Sequence, residues 1–292
     1  MPHSAPSHSP AVVLSDIARA FLASGTLPLS RSITRVQTVL KSADYNAADL
    51  AEHMRTDPTL TARVMSVANS SFFSQAPCDG ISDAVNRLGS TQLMRIFSQV
   101  LARAVMMSPL RAYALSAEDI WRRAVIAAVG AELAAGRQRQ DRSLAYMVGL
   151  LHELGMLVVN THWARGPGAR TLKLADFETE YSADEKRSFH FNQAEVGGEV
   201  LHQLAFPESV YRGVARQYKL PLEPLGRALY MGRMAKAVYC CGLTPNANLE
   251  IVDSFGLGTK RDMDAFMEDV HSEALIRIQG NRSAARSSDR WK

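Results

Sequence analysis

Apolar residues recur at helical spacing along almost the whole chain. Val13, Ile17, Ala20 and Phe21 form one such stripe over residues 12–24, and Gly25 closes it. Strict apolar–polar alternation is scarce and β-branched residues do not cluster, so strands are not expected. Short helices are predicted over 33–40 and 47–54. Asp57-Pro58 then supplies an N-cap with proline at the first helical position, opening a helix with Leu60, Val64, Val67 and Ala68 on one face. Residues 81–88 read as helix, Gly89 breaks it, and Ser90 caps an apolar run over 93–107 that Pro109 ends.

The second half continues the pattern. Ser116-Ala-Glu-Asp119 is a cap with acids in the first turn, opening a helix over 120–135. A single apolar helix is predicted over 144–160, followed by a loop containing Gly166-Pro167-Gly168. Further helices are predicted over 172–186, 194–204, 209–218, 225–240, 249–255 and 263–278. Pro207, Pro221, Pro224 and Pro245 fall between them as breakers. The fold class predicted is all-α. No fixed-period repeat suggests a solenoid.

Composition narrows the class without naming a function. With 292 residues, 47% hydrophobic and 21% charged, the chain can bury a substantial core. The net charge of +4 is mild, and part of the excess lies in Arg282, Arg286, Arg290 and Lys292 near the end. Aromatic residues do not interleave with a basic stripe, so nucleic acid is not an expected partner, and Phe72-Phe73 reads as core. Cys78, Cys240 and Cys241 give neither a disulfide framework nor metal-finger spacing. The start lacks a signal-peptide pattern, and no uninterrupted apolar run reaches the roughly 18 residues of a membrane span. A cytoplasmic location without membrane attachment is expected.

His152-Glu153, inside an apolar stretch and followed by Gly155, is the most informative local feature. It looks like a metal-binding dyad. A hydrolytic metal centre needs three or more protein groups and an open position, so a dyad alone is insufficient. The other histidines are His3, His8, His53, His162, His190, His202 and His271. Glu195, Glu199 and His202 share one helical face, and Glu268 with His271 repeats the Glu-x-x-His spacing; both read as exposed polar faces. No Gly-x-Ser-x-Gly elbow or Cys–His arrangement is present, and Pro167 removes an N–H from the one Gly-rich loop.

The stretch from Asp57 through Thr59, Leu60, Arg63, Val64 and Asn69 to Phe73 resembles the signature of the HDOD family, bacterial relatives of the HD-domain metal phosphohydrolases. So does Ile81 to Arg95, with its helix, Gly turn and capped helix in order. The likeness continues through Ile120-Trp121-Arg122-Arg123, residues 148–157 and Gln193 to Gly197, covering about residues 28–240. It implies two helical subdomains: an N-terminal bundle over 11–113 packed on an HD-like unit over 114–242. C-terminal helices over 243–279 follow, with disordered tails at 1–10 and 280–292.

The resemblance also implies where metal ligands would lie. The first His position falls at Arg123, the His-Asp pair at His152-Glu153, the next His at Gln193, a His pair near Gln217-Tyr218, and the final Asp near Gly232. Arg123 is permanently cationic and would oppose a metal by Coulomb repulsion, while Gln is a poor ligand beside imidazole or carboxylate. A buried Arg123 paired with Glu153 would replace a metal bridge by a salt bridge. The site is thus expected to be vestigial, with no metal, no cofactor and no enzymatic activity. The family's association with signalling, including cyclic-dinucleotide, motility and stress pathways, implies a scaffold acting through a separate protein partner. Two alternatives remain open: a residual metal-dependent phosphohydrolase, and a nucleotide sensor using Asn69, Arg87, Arg95 or Arg122.

Overall fold

The computed structural model describes residues 10–26, 39, 47–55, 58–70, 77–78, 80–105, 109–164 and 171–288. The predicted helix over 33–40 (apart from Val39), the Asp57 cap, Phe72-Phe73, the Gly166-Pro167-Gly168 loop and most of the 1–10 tail lie outside them. Among the described residues the secondary structure is helical, with one isolated bridge between Leu110 and Leu115. The helices are α1 (Pro10–Ala23), α2 (Ala47–Arg55), α3 (Pro58–Ala68), α4 (Ile81–Val105), α5 (Ala117–Arg137), α6 (Arg142–Leu151) and α7 (Gly155–Trp163). They continue as α8 (Ser182–Phe189), α9 (Gln193–Gln203), α10 (Glu208–Ala215), α11 (Pro224–Cys241), α12 (Leu249–Ser254) and α13 (Lys260–Ser288).

Local chemistry accounts for the boundaries. Gly89 interrupts α4 with φ 68° and ψ 172°, the break its sequence predicts. Ser116 and Asp119 close a reciprocal capping box on α5, and Asn192 with Glu195 does the same on α9. Asp141 accepts from the N–H groups of Ser143 and Leu144 to start α6. Pro224 begins α11 and Gly242, at φ 62°, ends it.

α5 and α11 form the central packed pair, and α6 lies against α5. The α5–α11 approach depends on Gly232: a Cβ there would fall 2.1 Å from the carbonyl oxygen of Ala127. Helices α2, α3 and α4 make the N-terminal bundle, joined to the rest through α4 on α6. Helix α1, placed by sequence in that bundle, lies instead on α9, where Gln203 Nε2 donates to the Ser15 carbonyl at 3.0 Å.

Three expectations are corrected. The predicted helix over 144–160 is two helices, α6 and α7, separated by a turn at His152-Glu153-Leu154. There the hydrogen bonds shorten to three-residue spacing, with Leu154 N donating to Leu151 O and Met156 N to Glu153 O. The predicted helix over 172–186 begins only at Ser182, because upstream N–H groups go to tertiary partners: Leu172 N to Ala112 O, and Lys173 N to a carboxylate oxygen of Asp184. Helix α13 runs to Ser288, so residues 280–288 are helical where a disordered tail was expected. Arg142–Trp163 is long and apolar enough to cross a membrane by composition, but 83% of that window is buried inside the protein.

A buried ionic cluster at the candidate functional site

The turn between α6 and α7 delivers His152 and Glu153 to the interior beside α5 and α11. His152 is 0% exposed. Its Nδ1 lies 2.7 Å from the carbonyl oxygen of Gly149, which can only accept, so Nδ1 carries the ring proton and Nε2 presents a lone pair. Burial first, and Lys236 second, drive its pKa from 6.5 to about 3, so the ring is neutral.

That lone pair points at Lys236. Its Nζ lies 3.0 Å from His152 Nε2, 2.9 Å from Glu153 Oε1 and 2.7 Å from Glu180 Oε2. An ammonium has three N–H donors and no acceptor, so these three acceptors use it completely. Lys236 is 1% exposed.

Two guanidinium groups complete the cluster. Arg123, from α5, binds both oxygens of Glu153 and places Nη1 2.9 Å from Cys241 Sγ. The salt bridge expected between Arg123 and Glu153 is present and buried. Arg233, from α11, donates from Nε to Glu180 Oε1 at 2.8 Å, from Nη1 to the Gln217 carbonyl at 2.8 Å, and from Nη2 to the Phe177 carbonyl at 2.8 Å. It also stacks 4.5 Å above the Tyr218 ring. Burial raises the pKa of Glu153, but Arg123 and Lys236 outweigh it and hold the carboxyl well below its ordinary value. For Glu180 the same opposition, with Lys236 and Arg233 as the cations, leaves the pKa at about 2.

The remaining positions named from sequence divide cleanly. Gln217 Nε2 donates to the His152 carbonyl at 2.9 Å and braces the turn. Gln193 Nε2 donates to Tyr218 Oη at 2.8 Å, while its backbone N–H reaches Glu185 Oε2 at 2.7 Å. Tyr113 Oη donates to the other oxygen of Glu185 at 2.7 Å, and burial pushes that carboxyl up to about 7. Gly232 makes no part of the cluster; it lets α11 approach α5, and its neighbours Arg233 and Lys236 reach in.

Asn69, Arg87, Arg95 and Arg122 do not gather here. Asn69 Oδ1 accepts from Cys78 N at 2.7 Å, and Arg87 donates to the Ala68 carbonyl at 3.3 Å, so both organise the end of α3. Arg95 pairs with Glu132 at 3.1 Å and lies 4.5 Å above Tyr146. Arg122 is exposed on α5.

Lys236, Arg233 and Glu180 were missed by the sequence reading. A signal for two of them existed: Arg233 and Lys236 sit three residues apart within an otherwise apolar run from Leu229 to Ala237. Glu180 gave none, because it acts from an irregular segment with a left-handed backbone at φ 48°.

The residues present do not fit the divalent metal of an HD phosphohydrolase. The three groups nearest to a ligand set, His152, Glu153 and Glu180, converge on an ammonium. Among the described residues no three His, Cys, Asp or Glu side chains are arranged to hold a metal ion. A divalent ion would join Lys236, Arg123 and Arg233 against the carboxylates of Glu153 and Glu180, a strongly repulsive excess at low dielectric.

Comparison with curated proteins gives no match. Several solved structures are similar in fold, among them three described next. One, from Marinobacter aquaeolei VT8, is provisionally described as a signal transduction protein; it is 21% identical with a TM-score of 0.60, covering 92% of this chain and 67% of that one. A second, from Shewanella amazonensis SB2B, is provisionally described as a metal-dependent phosphohydrolase; it is 23% identical with a TM-score of 0.55, covering 90% and 99%. An HDOD domain protein of unknown function from Geobacter sulfurreducens is 19% identical with a TM-score of 0.56, covering 92% and 97%. The HDOD domain profile matches residues 27–220 and stops short of α11, which supplies Arg233 and Lys236. With that profile spanning most of its length, the chain belongs to the HDOD family.

Proposed function

We propose that this protein is a non-catalytic HDOD regulatory protein that works as a signalling scaffold, contacting a separate protein partner in the cytoplasm. The observation that carries this reading is the Lys236 ammonium, bonded to His152, Glu153 and Glu180 at the heart of the cluster. A hydrolytic centre must admit substrate and water to an open coordination position. Here the candidate ligands are spent on a cation belonging to the chain, and burial closes the surroundings. The signalling description of the Marinobacter protein supports the regulatory half of the reading. In this role the cluster is architecture: it fixes α5, α11 and the α6–α7 turn in one arrangement that a partner can read.

The test is elemental analysis of the purified full chain together with a phosphodiesterase assay in the presence of Mn²⁺, Mg²⁺ or Fe²⁺. Metal well below one equivalent and no turnover are expected. Stoichiometric metal with phosphodiesterase activity, both lost in His152→Ala, would overturn the reading in favour of a metal-dependent phosphohydrolase.

A further inference from the structure

Helices α11, α12 and α13 frame a groove of about 590 Å³, a size at which pockets commonly hold a small organic molecule. Met234, Val238, Tyr239, Leu249, Met263 and Met267 line it. Val238 is 40% exposed and Leu249 70%, so the apolar lining opens directly to solvent. Its walls are tied to one another. Asn248 N donates to Tyr230 Oη at 2.7 Å, and Tyr239 Oη donates to the Met267 carbonyl at 3.0 Å. Gly258, on the loop into α13, lies so close to the Asp253 carboxylate that a Cβ would fall 2.2 Å from Oδ1.

Polar groups on the same lining lack partners. Asp264 and Glu268, one turn apart on α13, are exposed and form no ion pair among the described residues. Lys260 also lies on the rim, yet it bonds neither carboxylate. Like charges at this spacing repel each other along a helix. Partial burial first, and the Glu268 and Asp264 charges next, raise the pKa of Tyr239, so both carboxylates act on that ring. The His271 ring stacks on Tyr239 with centroids 4.5 Å apart, and its Nδ1 is buried with no hydrogen-bond partner among the described residues. Two carboxylates and an imidazole nitrogen are acceptors here, each short of a donor.

The chain shows elsewhere what such a set prefers: two carboxylates and an imidazole nitrogen surround the Lys236 ammonium. Asp264, Glu268 and His271 are not arranged to close on a metal ion. A larger organic cation suits the spacing better. Methionine side chains repack around irregular apolar shapes, and an aromatic ring beside carboxylates favours an ammonium group.

We propose that this groove is a binding site for a small amphiphilic amine, with its apolar body among Met234, Met263 and Met267 and its ammonium at Asp264 and Glu268. The groove reaches α11, the helix that carries Lys236 into the buried cluster, so an occupant ties α12 and α13 to that helix. The site is separate from the cluster and holds whether or not the protein is a scaffold.

Calorimetry and ligand-observed NMR of the full chain test this with three probes of one shape: phenylbutylamine, phenylbutanol and phenylbutyrate. The amine should bind at millimolar concentration or below, and about tenfold more tightly than the acid, with the alcohol between them and the gap closing as salt is added. Asp264→Asn/Glu268→Gln should bring amine, alcohol and acid to similar affinities. Val238→Trp, which fills the exposed mouth, should remove binding of all three. In methyl-labelled protein the Met263 and Met267 signals should shift as the amine binds. Circular dichroism checks that each variant folds, and retained binding of the alcohol by the double variant guards against a trivial loss by misfolding. No binding of the amine at millimolar concentration, equal affinity for amine and acid in the wild type, or amine binding unchanged by Val238→Trp would overturn the proposal. So would a basic amphipathic peptide that occupies the groove where the amine does not, which would assign it to a partner's helix.

Discussion

Lys236 Nζ lies 3.0 Å from Nε2 of His152, a residue that the family resemblance places at a ligand position. The imidazole is held in its acceptor tautomer by the Gly149 carbonyl, as a metal-binding histidine is held by a second partner. The acceptor nitrogen is thus occupied by a side chain from α11 in place of an ion. Each consequence of that substitution can be measured.

Lys236→Met removes the cation while keeping most of the side chain's volume. Glu153 and Glu180 would each lose a charged donor in a buried site, with a cost of about 3–5 kcal/mol in urea unfolding. Adding Glu180→Gln should return part of that loss, so the double mutant should be less destabilised than the sum of the singles. Additive losses would show that the two groups are not coupled.

His152 makes stability depend on pH. Its folded pKa, about 3, lies below the unfolded value of 6.5, so between these values the unfolded chain binds the extra proton and stability falls as pH falls. Glu180, depressed from 4.5 to about 2, adds a loss in the same direction below about pH 4.5. Glu185, raised from 4.5 to about 7, acts oppositely: the stability it contributes is present below 4.5 and lost as pH rises to 7. His152→Gln keeps a donor for Gly149 and an acceptor for Lys236 but cannot titrate. Between pH 7 and pH 5 the wild type should lose on the order of 2 kcal/mol more than this variant, with Glu185 common to both. Equal losses in the two proteins would remove His152 as the cause.

Gly232→Ala should be costly for a purely steric reason. Its Cβ would meet the Ala127 carbonyl oxygen, forcing α5 and α11 apart. A loss of about 2–3 kcal/mol is expected from thermal or urea unfolding. At Gly80, where an added Cβ has nothing within 4 Å among the described residues, the same substitution provides the control.

Glu132 joins three parts of the chain: one oxygen binds Arg95 of α4 at 3.1 Å and the other binds Arg277 of α13 at 2.5 Å. Both guanidinium groups lie over the Tyr146 ring of α6. Glu132→Ala should lower global stability by about 1–3 kcal/mol, the cost of leaving partly buried charges without their acceptor. It should also speed amide exchange along α13 more than along α5. Uniform acceleration across both helices would show that Glu132 does not dock α13 specifically.

The helical character of this chain was legible because periodicity and caps are local. Ser116, Asp141 and Asn192 each do in the structure what their neighbours in sequence imply. The break between α6 and α7 was not legible, since Leu150, Leu151, Leu154, Leu157 and Val158 keep helical spacing across the polar His152-Glu153 pair. Its cause is a tertiary one: a Cβ at Gly155 would lie 1.9 Å from the Gln193 carbonyl oxygen, so the chain turns to bring α7 onto α9. At the site, Arg123 and Glu153 could be paired from sequence because the resemblance to HD phosphohydrolases sets both at expected ligand positions. Lys236 could not, because its role comes from long-range convergence with His152 and Glu180 rather than from any motif. Gly232 was the nearest pointer: the right helix, one residue from Arg233 and one turn from Lys236.

A bound metal stabilises a fold by mass action, in proportion to the logarithm of its free concentration over its dissociation constant. Lys236 has no free concentration and no dissociation constant. The charge that organises α5, α11 and the α6–α7 turn is delivered with the polypeptide. On the reading proposed above, urea unfolding should give the same stability with and without a chelator.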